Sequence, residues 1–277
     1  MIENIDKELK TLHDNISLWM NDSVLKQCLG MLDLTTLKPT DTYSSVKKLA
    51  EKVNLAKETF PEYPLPASIC VYPNFAGTVK DTLTDSNVHV TVVAGCFPAS
   101  QSFLEVKVLE SRMAVEKGAD EVDIVLALNS FLDRDLKRCA DEIKAVKETI
   151  GGKILKVILE TGALADETKI REASFLAMES GADFIKTSTG KLDPAATPFA
   201  AMVMCDCIRE YHRKTGRKIG FKPAGGISVA KDAVVYYGIV STVLGEEWLN
   251  PSLMRLGASR VANSIISELT KSSISYY

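Results

Sequence analysis

Eight short apolar runs recur along the chain, and each of them ends in polar or glycine-rich residues. The runs occupy residues 32–36, 68–72, 90–95, 121–126, 154–160, 183–188, 219–223 and 254–257. One marker residue in each run, from Asp33 in the first to Gly257 in the last, gives steps of 25 to 37 residues. A step of this length holds one strand, a loop and one helix. The pattern therefore predicts eight β-strands joined by helices.

The segments between the runs repeat their apolar residues every three or four positions. One segment carries Leu136, Cys139, Ile143, Val146 and Ile150, and another carries Phe199, Met202, Val203 and Ile208. This spacing is typical of amphipathic helices. Two of the predicted helices end in Gly-Ala-Asp, at Gly118 and Gly181. Glycine suits the left-handed position that stops a helix, so both helices should end there.

Eight strands that alternate with helices favour a single closed parallel barrel, the (β/α)8 or TIM barrel, because closure leaves no strand edge unpaired. A doubly wound open sheet is the alternative. It is disfavoured because neither G-x-G-x-x-G nor G-x-x-x-x-G-K-[ST] occurs. We expect an N-terminal helical extension over residues 1–27, which can cap the bottom of the barrel. The barrel itself should span residues 28–270, with a flexible C-terminal tail at 271–277.

Composition and charge narrow the class of protein. The chain has 277 residues, of which 46% are hydrophobic, and this suits one large barrel core. Its 33 Lys and Arg residues are spread among 36 Asp and Glu residues, so nucleic acid and anionic membranes are poor candidate partners. Neither a signal peptide nor an apolar run of about 18 residues is visible, which predicts a cytoplasmic protein.

The residue types that bind metals are scattered. His13, His89 and His212 are far apart, and none belongs to an H-x-x-x-H motif. Cys205 and Cys207 fall in a predicted helix, where their spacing points them to different sides. We therefore expect free thiols, no metal site and no cofactor.

Four charged residues lie inside runs that should be buried: Asp123, Lys156, Lys186 and Lys222. Parallel strands buried on both faces are normally almost entirely apolar, so these charges need a reason. One reading is an ion-pair cluster that only fixes the packing of the barrel. The other interpretation is that these residues take part in catalysis.

The chemical reading starts from the positions of the lysines. Lys186 and Lys222 stand late in adjacent strands, so both should project into the mouth at the C-terminal ends of the strands. A neighbouring ammonium and burial both lower the pKa of a lysine, so one of the two can be a neutral amine that attacks a carbonyl carbon. Asp123 can exchange protons and keep the second lysine charged. Lys156 stands near the middle of its strand, which fits a partner of these groups better than a reactant, and its role stays open.

The loops after the last two strands have the composition of an anion-binding site. Small residues there let main-chain N–H groups approach a phosphate, which barrels commonly bind at this place. A plain tight turn would explain a Gly-Gly pair equally well. The loop after the sixth strand adds hydroxyl groups and a further cation to the same mouth. The residues concerned are Thr187, Gly190, Lys191, Gly225, Gly226, Gly257 and Ser259.

These strings, taken in order, resemble deoxyribose-phosphate aldolase, a family of class I aldolases. The resemblance covers nearly everything after residue 25 and is carried by residues 32–37, 69–73, 118–125, 155–162, 181–191 and 220–226. The most specific strings are Phe-Ile-Lys-Thr-Ser-Thr-Gly-Lys, which ends at Lys191, and Gly-Phe-Lys-Pro-Ala-Gly-Gly, which ends at Gly226.

The resemblance implies a reaction and a role for each site residue. Lys186 matches the Schiff-base lysine, Lys222 the lysine that perturbs it, and Asp123 the proton-relaying aspartate. The implied substrate is 2-deoxy-D-ribose 5-phosphate, cleaved to D-glyceraldehyde 3-phosphate and acetaldehyde. Tyr277 is a candidate for protonating the enamine. Further substrate contacts are expected from Asp33 and Thr35, and a homodimer or homotetramer is implied.

Two positions depart from the family pattern. Ser228 stands where an arginine is expected after the Gly-Gly turn, and Arg260 replaces the second serine of a Gly-Ala-Ser-Ser turn. The phosphate contacts should therefore differ from those of the family. Three other readings stay open: a zinc-dependent aldolase, a transaldolase-like Schiff-base enzyme for another sugar phosphate, and a non-catalytic sugar-phosphate-binding barrel.

Overall fold

The computed structural model describes residue 2 and residues 4–277, so Met1 and Glu3 of the expected N-terminal extension lie outside the described residues. The strands are β1 Leu32–Thr35, β2 Ser68–Val71, β3 His89–Ala94, β4 Glu121–Val125, β5 Ile154–Ile158, β6 Phe184–Lys186, β7 Gly220–Lys222 and β8 Leu256–Ala258. Neighbouring strands are parallel in the order β7-β6-β5-β4-β3-β2-β1-β8. Two parallel bridges, Phe221 with Met254 and Ala224 with Gly257, join β7 to the β8 segment. The ring closes, and the predicted (β/α)8 fold is confirmed.

Helices surround this ring. They are α1 Ile5–Asp14, α2 Asp22–Gly30, α3 Tyr43–Thr59, α4 Ala76–Thr82, α5 Leu104–Glu116, α6 Leu128–Leu132, α7 Leu136–Ile150, α8 Thr161–Leu164, α9 Glu167–Glu179, α10 Pro198–Thr215, α11 Ala230–Leu244 and α12 Val261–Thr270. Helix α7 buries Cys139, Ile143, Val146 and Ile150, as their spacing predicts. Gly118 after α5 and Gly181 after α9 have φ of +103° and +108°, which confirms them as stop residues.

The first helices lie on the outside of the barrel. Helix α1 packs against α10 and α11, and its buried residues are Ile5 and Leu12. Helix α2 packs against α11 and α12 and leads directly into β1. Within residue 2 and residues 4–277, no helix is long and apolar enough to cross a membrane.

The interior of the ring is where the charged strand residues meet. Strands β4, β6 and β7 are buried along their whole length, so a side chain that points inward contacts other inward-pointing side chains rather than water. An unpaired charge in such a place is costly. The charges inside the barrel must therefore neutralise one another.

Candidate active site

Seven ionisable side chains form one connected cluster inside the barrel, and we call it the barrel network. Each of them is at most 3% exposed: Asp33, Glu121, Asp123, Lys156, Lys186, Lys222 and Arg255. Sequence reasoning missed Glu121, which opens β4, and Arg255, which precedes β8. Both lie within the predicted apolar runs, so the argument that singled out Asp123 could have found them.

Lys186 and Lys222 converge on a single carboxylate oxygen. The two lysines are register partners in the β6–β7 ladder. Their Nζ atoms donate to Oδ2 of Asp123 over 2.8 Å and 2.7 Å. The parallel register thus brings together the two amines and the aspartate that the sequence singles out.

Lys156 contacts the other side of the same aspartate. It is the register partner of Asp123, and its Nζ donates to Asp123 Oδ1 over 3.0 Å and to Glu121. The ammonium group of Lys156 therefore lies between two carboxylates and behind the pair of converging lysines.

Asp33 belongs to the barrel network and is not among the residues that line the cavity, and its expected contact with substrate stays a prediction. Its Oδ2 lies 2.5 Å from Nζ of Lys222, and its Oδ1 accepts a hydrogen bond of 2.6 Å from Arg255. Arg255 also donates to Glu121, whose Oε1 lies 2.7 Å from Nδ1 of His89. Asp33 is fully buried because both of its oxygens neutralise buried bases.

Protons are distributed unequally among the bases. Burial alone would lower the pKa of Lys222, but Asp123 and Asp33 outweigh it, and the pKa lies above its usual range. Lys156 behaves in the same way because Asp123 and Glu121 face it. For Lys186, burial combines with the charge of Lys222 to outweigh Asp123, and its pKa is lowered. The network holds three carboxylates and four bases, so Lys186 is the base it can leave neutral.

A cavity of about 650 Å³ opens at the C-terminal ends of the strands. Of the seven network side chains, all within the described part of the chain, Lys186 alone lines it. The cavity is also lined by predicted substrate residues, namely Thr35, Gly190, Lys191, Gly225, Gly226, Gly257 and Ser259. Thr187 is not among them. It is buried, and its Oγ1 accepts the N–H of Ala224 over 3.0 Å, so it fixes the loop after β7 instead.

The Gly-Gly turn after β7 is shaped for a close approach. Gly225 and Gly226 have φ of +83° and +78°, and a Cβ at Gly225 would lie 2.9 Å from Cα of Gly190. Within residues 4–277, the N–H groups of the two turn glycines donate to no protein acceptor. Unpaired main-chain N–H groups that point into a mouth can bind an anion.

Cations surround this turn. Lys191 reaches across the mouth, and its Nζ donates to the main-chain oxygen of Leu37 over 2.6 Å. The two positions that depart from the family, Ser228 and Arg260, both line the cavity, and Arg260 immediately precedes α12. Lys48 and further basic residues also line it. The mouth is therefore electropositive although the chain carries a net charge of −3.

Tyr277 lines the same cavity and is half-buried. Burial and the neighbouring Tyr276 raise the pKa of its hydroxyl, so Tyr277 stays protonated at neutral pH. Among residue 2 and residues 4–277, no group of three or more His, Cys, Asp or Glu side chains is placed to hold a metal ion.

Comparison with known proteins shows the family of this chain. The model of the DeoC/LacD family of aldolases matches residues 28–239. A Caenorhabditis elegans relative is 41% identical over 270 residues, which cover 97% of this chain and 86% of the relative. A human protein named deoxyribose-phosphate aldolase is 40% identical over 251 residues, 87% of this chain and 79% of its own length. The solved structure of the aldolase QR15 superposes with a TM-score of 0.72 at 27% identity, covering 88% of this chain and 96% of QR15. This chain belongs to the DeoC/LacD family of aldolases.

Proposed function

We propose that this chain is a deoxyribose-phosphate aldolase that cleaves 2-deoxy-D-ribose 5-phosphate reversibly through a Schiff base on Lys186. One observation carries the proposal. Lys186 is the network base that faces the cavity, and it is also the base whose pKa is lowered. A neutral amine that opens onto a cavity is the group that condenses with an aldehyde.

The first half of the reaction forms the iminium. The Lys186 amine adds to C1 of the open-chain sugar, and the carbinolamine loses water after protonation of its hydroxyl. Asp123 lies 2.8 Å from Nζ of Lys186 and can pass protons to and from the reacting atoms. Lys222 stays charged and keeps Asp123 ionised between these transfers.

The second half of the reaction cleaves the C2–C3 bond and releases both products. The iminium takes up the electron pair of the C2–C3 bond while the C3 hydroxyl loses its proton, and D-glyceraldehyde 3-phosphate leaves. The remaining enamine gains a proton at C2, and hydrolysis releases acetaldehyde and the free amine. Tyr277, a protonated phenol at the mouth, is the proposed donor for C2. The balance needs no oxidant and no reductant.

The phosphate is proposed to lie against the Gly-Gly turn after β7. The free N–H groups of Gly225 and Gly226 suit its oxygens, and Lys191 and Arg260 supply positive charge beside them. Arg260 thus replaces the charge that the family places at the position of Ser228. A Schiff-base aldolase for another sugar phosphate would use the same lysine, so the identity of the products is what separates the two readings.

Borohydride trapping tests the proposal. Reduction in the presence of 2-deoxy-D-ribose 5-phosphate, followed by peptide mass analysis, should place the adduct on Lys186. A matched Lys186→Met variant should show no adduct. An adduct on Lys222 or Lys156 instead would overturn the assignment. Product analysis should find acetaldehyde and D-glyceraldehyde 3-phosphate in equal amounts.

Assembly into a homodimer or homotetramer is proposed as well. Helix α5 and the residue before it present a stripe of exposed apolar side chains: Phe103, Val106, Leu109 and Met113. An exposed apolar stripe on one helix face is typical of a surface covered by another chain. Light scattering should give a mass that is a multiple of 30.3 kDa, and Leu109→Lys should lower that mass. A monomeric wild type would end this part of the proposal.

A further inference from the structure

The last residues of the chain fold back against the helices beside the cavity. Tyr276 and Tyr277 lie against α3 and α12, and their rings contact each other edge to face with centroids 4.9 Å apart. One amide side chain, that of Asn263 on the first turn of α12, contacts both of them.

Asn263 forms three hydrogen bonds to the main chain of these residues. Its Oδ1 accepts the N–H groups of Tyr276 and Tyr277, each over 2.9 Å. Its Nδ2 donates to the main-chain oxygen of Tyr277, also over 2.9 Å. A side-chain amide offers both an acceptor and a donor, and an aspartate would lose the donor.

Tyr276 is held by a second set of contacts. Its hydroxyl donates to the main-chain oxygen of Lys52 over 2.7 Å, and the Lys52 ammonium donates back to the main-chain oxygen of Tyr276 over 2.6 Å. The Tyr276 ring also packs edge to face on Phe60, with centroids 5.2 Å apart. Tyr276 thus works as an anchor beside the mouth, and Tyr277 follows it into the cavity.

We propose that Asn263, together with Lys52 and Phe60, forms a docking site for the C-terminal tail that places Tyr277 in the catalytic mouth. In this proposal Asn263 is a positioning residue that acts through Tyr277: it lines the cavity, but its amide group is occupied by hydrogen bonds to the tail. The inference rests on the proposed function, in which Tyr277 protonates the enamine. It assigns to Tyr276 a role of its own, that of the anchor.

The variant Asn263→Ala tests the docking site directly. Loss of three hydrogen bonds should lower the ratio of docked to undocked tail roughly 10- to 100-fold. Hydrogen exchange of the amides in residues 271–277 should become faster, while Glu268→Ala, an exposed residue on the same helix, should leave it unchanged. Unchanged exchange in Asn263→Ala overturns the proposal, and this measurement does not depend on activity.

Kinetics separate positioning from a general loss of structure. Asn263→Ala should slow the exchange of acetaldehyde methyl protons for deuterium, which follows enamine protonation, on the order of tenfold. Borohydride trapping of the iminium on Lys186 should proceed at the wild-type rate. Asn263→Asp keeps the acceptor and loses the donor, so its rate of deuterium exchange should lie between those of the wild type and Asn263→Ala. A loss of trapping equal to the loss of exchange would show a merely structural role and overturn the proposal.

The double variant gives the sharpest outcome. If Asn263 acts through Tyr277, then Asn263→Ala adds no further loss of deuterium exchange in a Tyr277→Phe background. Additive losses overturn the proposal. Tyr276→Ala should behave as Asn263→Ala does, because it removes the anchor. A wild type that fails to trap deoxyribose phosphate would reject the proposed function instead, and amide exchange would still decide the docking site.

Discussion

Lys186 is the surplus base of a network that contains three carboxylates and four bases. Burial is the main reason for its lowered pKa, and the charge of Lys222 adds to it. A base whose folded-state pKa is lowered costs stability while it is protonated, and this cost disappears above its unfolded-state pKa. Lys186, the proposed nucleophile, is therefore held in place at some expense to stability.

The variant Lys186→Met should abolish cleavage and raise the thermal stability at pH 7. Methionine fills the space of the lysine stem and leaves three bases for three carboxylates. Each kcal/mol gained shifts Tm by about 2–4 °C for a chain of nearly this size. The gain should shrink as pH approaches the ordinary lysine pKa. Differential scanning calorimetry at neutral and alkaline pH measures it, and a lower Tm at pH 7 would contradict the charge count.

Lys222 should respond to substitution in the opposite way. Lys222→Met leaves Asp33 and Asp123 with one cation fewer in a dry interior, which should lower the free energy of unfolding by about 3–5 kcal/mol. It also removes the positive charge that lowers the pKa of Lys186. The fraction of neutral Lys186 should then fall, and the acid limb of kcat/KM should move to higher pH. A pH–rate profile checks the shift, and an unmoved limb would rule out charge coupling.

At the scale of elements, the closure of the barrel between β7 and β8 sets the position of Lys222. Gly257 bridges Ala224, and a Cβ on Gly257 would lie 2.7 Å from Cβ of Ala224 and 3.1 Å from Cε of Lys222. The absence of a side chain at Gly257 thus lets the two strands meet while the lysine stem passes between them.

Gly257→Ala should therefore weaken the fold and the chemistry together. The crowding should cost about 1–3 kcal/mol of stability, and displacement of Lys222 should lower kcat more than it raises KM. Gly152→Ala is the matched control, because a Cβ there meets nothing within 4 Å. Chemical denaturation and steady-state kinetics measure both effects. Equal behaviour of the two variants would refute the packing argument.

The sequence predicts the elements well because each depends on local patterns. Short apolar runs with polar ends give the strands, and a glycine stop such as Gly118 gives a helix end. Strand β6 is shorter than the predicted run, and Ser188, which follows it, donates its hydroxyl to the main-chain oxygen of Ala224. The convergence of Lys186 and Lys222 follows from their position in adjacent parallel strands.

Other features depend on contacts between distant parts of the chain. Arg255 lies just before β8, which pairs with β1. Its side chain can reach Asp33 on β1 and Glu121 on β4 because the ring is closed. The placement of Tyr276 depends on Lys52, 224 residues earlier in the chain. Local patterns carry no information on such pairs, so the sequence alone predicted neither the contacts of Tyr276 nor the partners of Asp33.

At the scale of the whole molecule, an electropositive mouth opens on a chain of net charge −3. The mouth includes Lys48, Lys191 and Arg260, all of which line the cavity. Charges of one sign around a cleft raise the association rate of an oppositely charged ligand, and salt screens this attraction. The phosphate of the proposed substrate should therefore be attracted before it makes contact.

Raising the ionic strength should lower kcat/KM for 2-deoxy-D-ribose 5-phosphate and leave that for unphosphorylated 2-deoxy-D-ribose nearly constant. Arg260→Ser should flatten the salt dependence and raise KM for the phosphorylated sugar. Steady-state kinetics between low and physiological ionic strength measure both. A salt dependence that is the same for the two sugars would argue against electrostatic steering.

The separation of Lys186 from the rest of its network also has a practical consequence. Because Lys186 is the one side chain of the described barrel network that lines the mouth, the surrounding loops can be exchanged without rebuilding the ionic interior. Libraries confined to the loops after β1, β7 and β8 would then sample new aldehyde acceptors while the bond-forming chemistry stays constant. The barrel is therefore a suitable scaffold for engineered carbon–carbon bond formation, because substrate selectivity can be changed separately from reactivity.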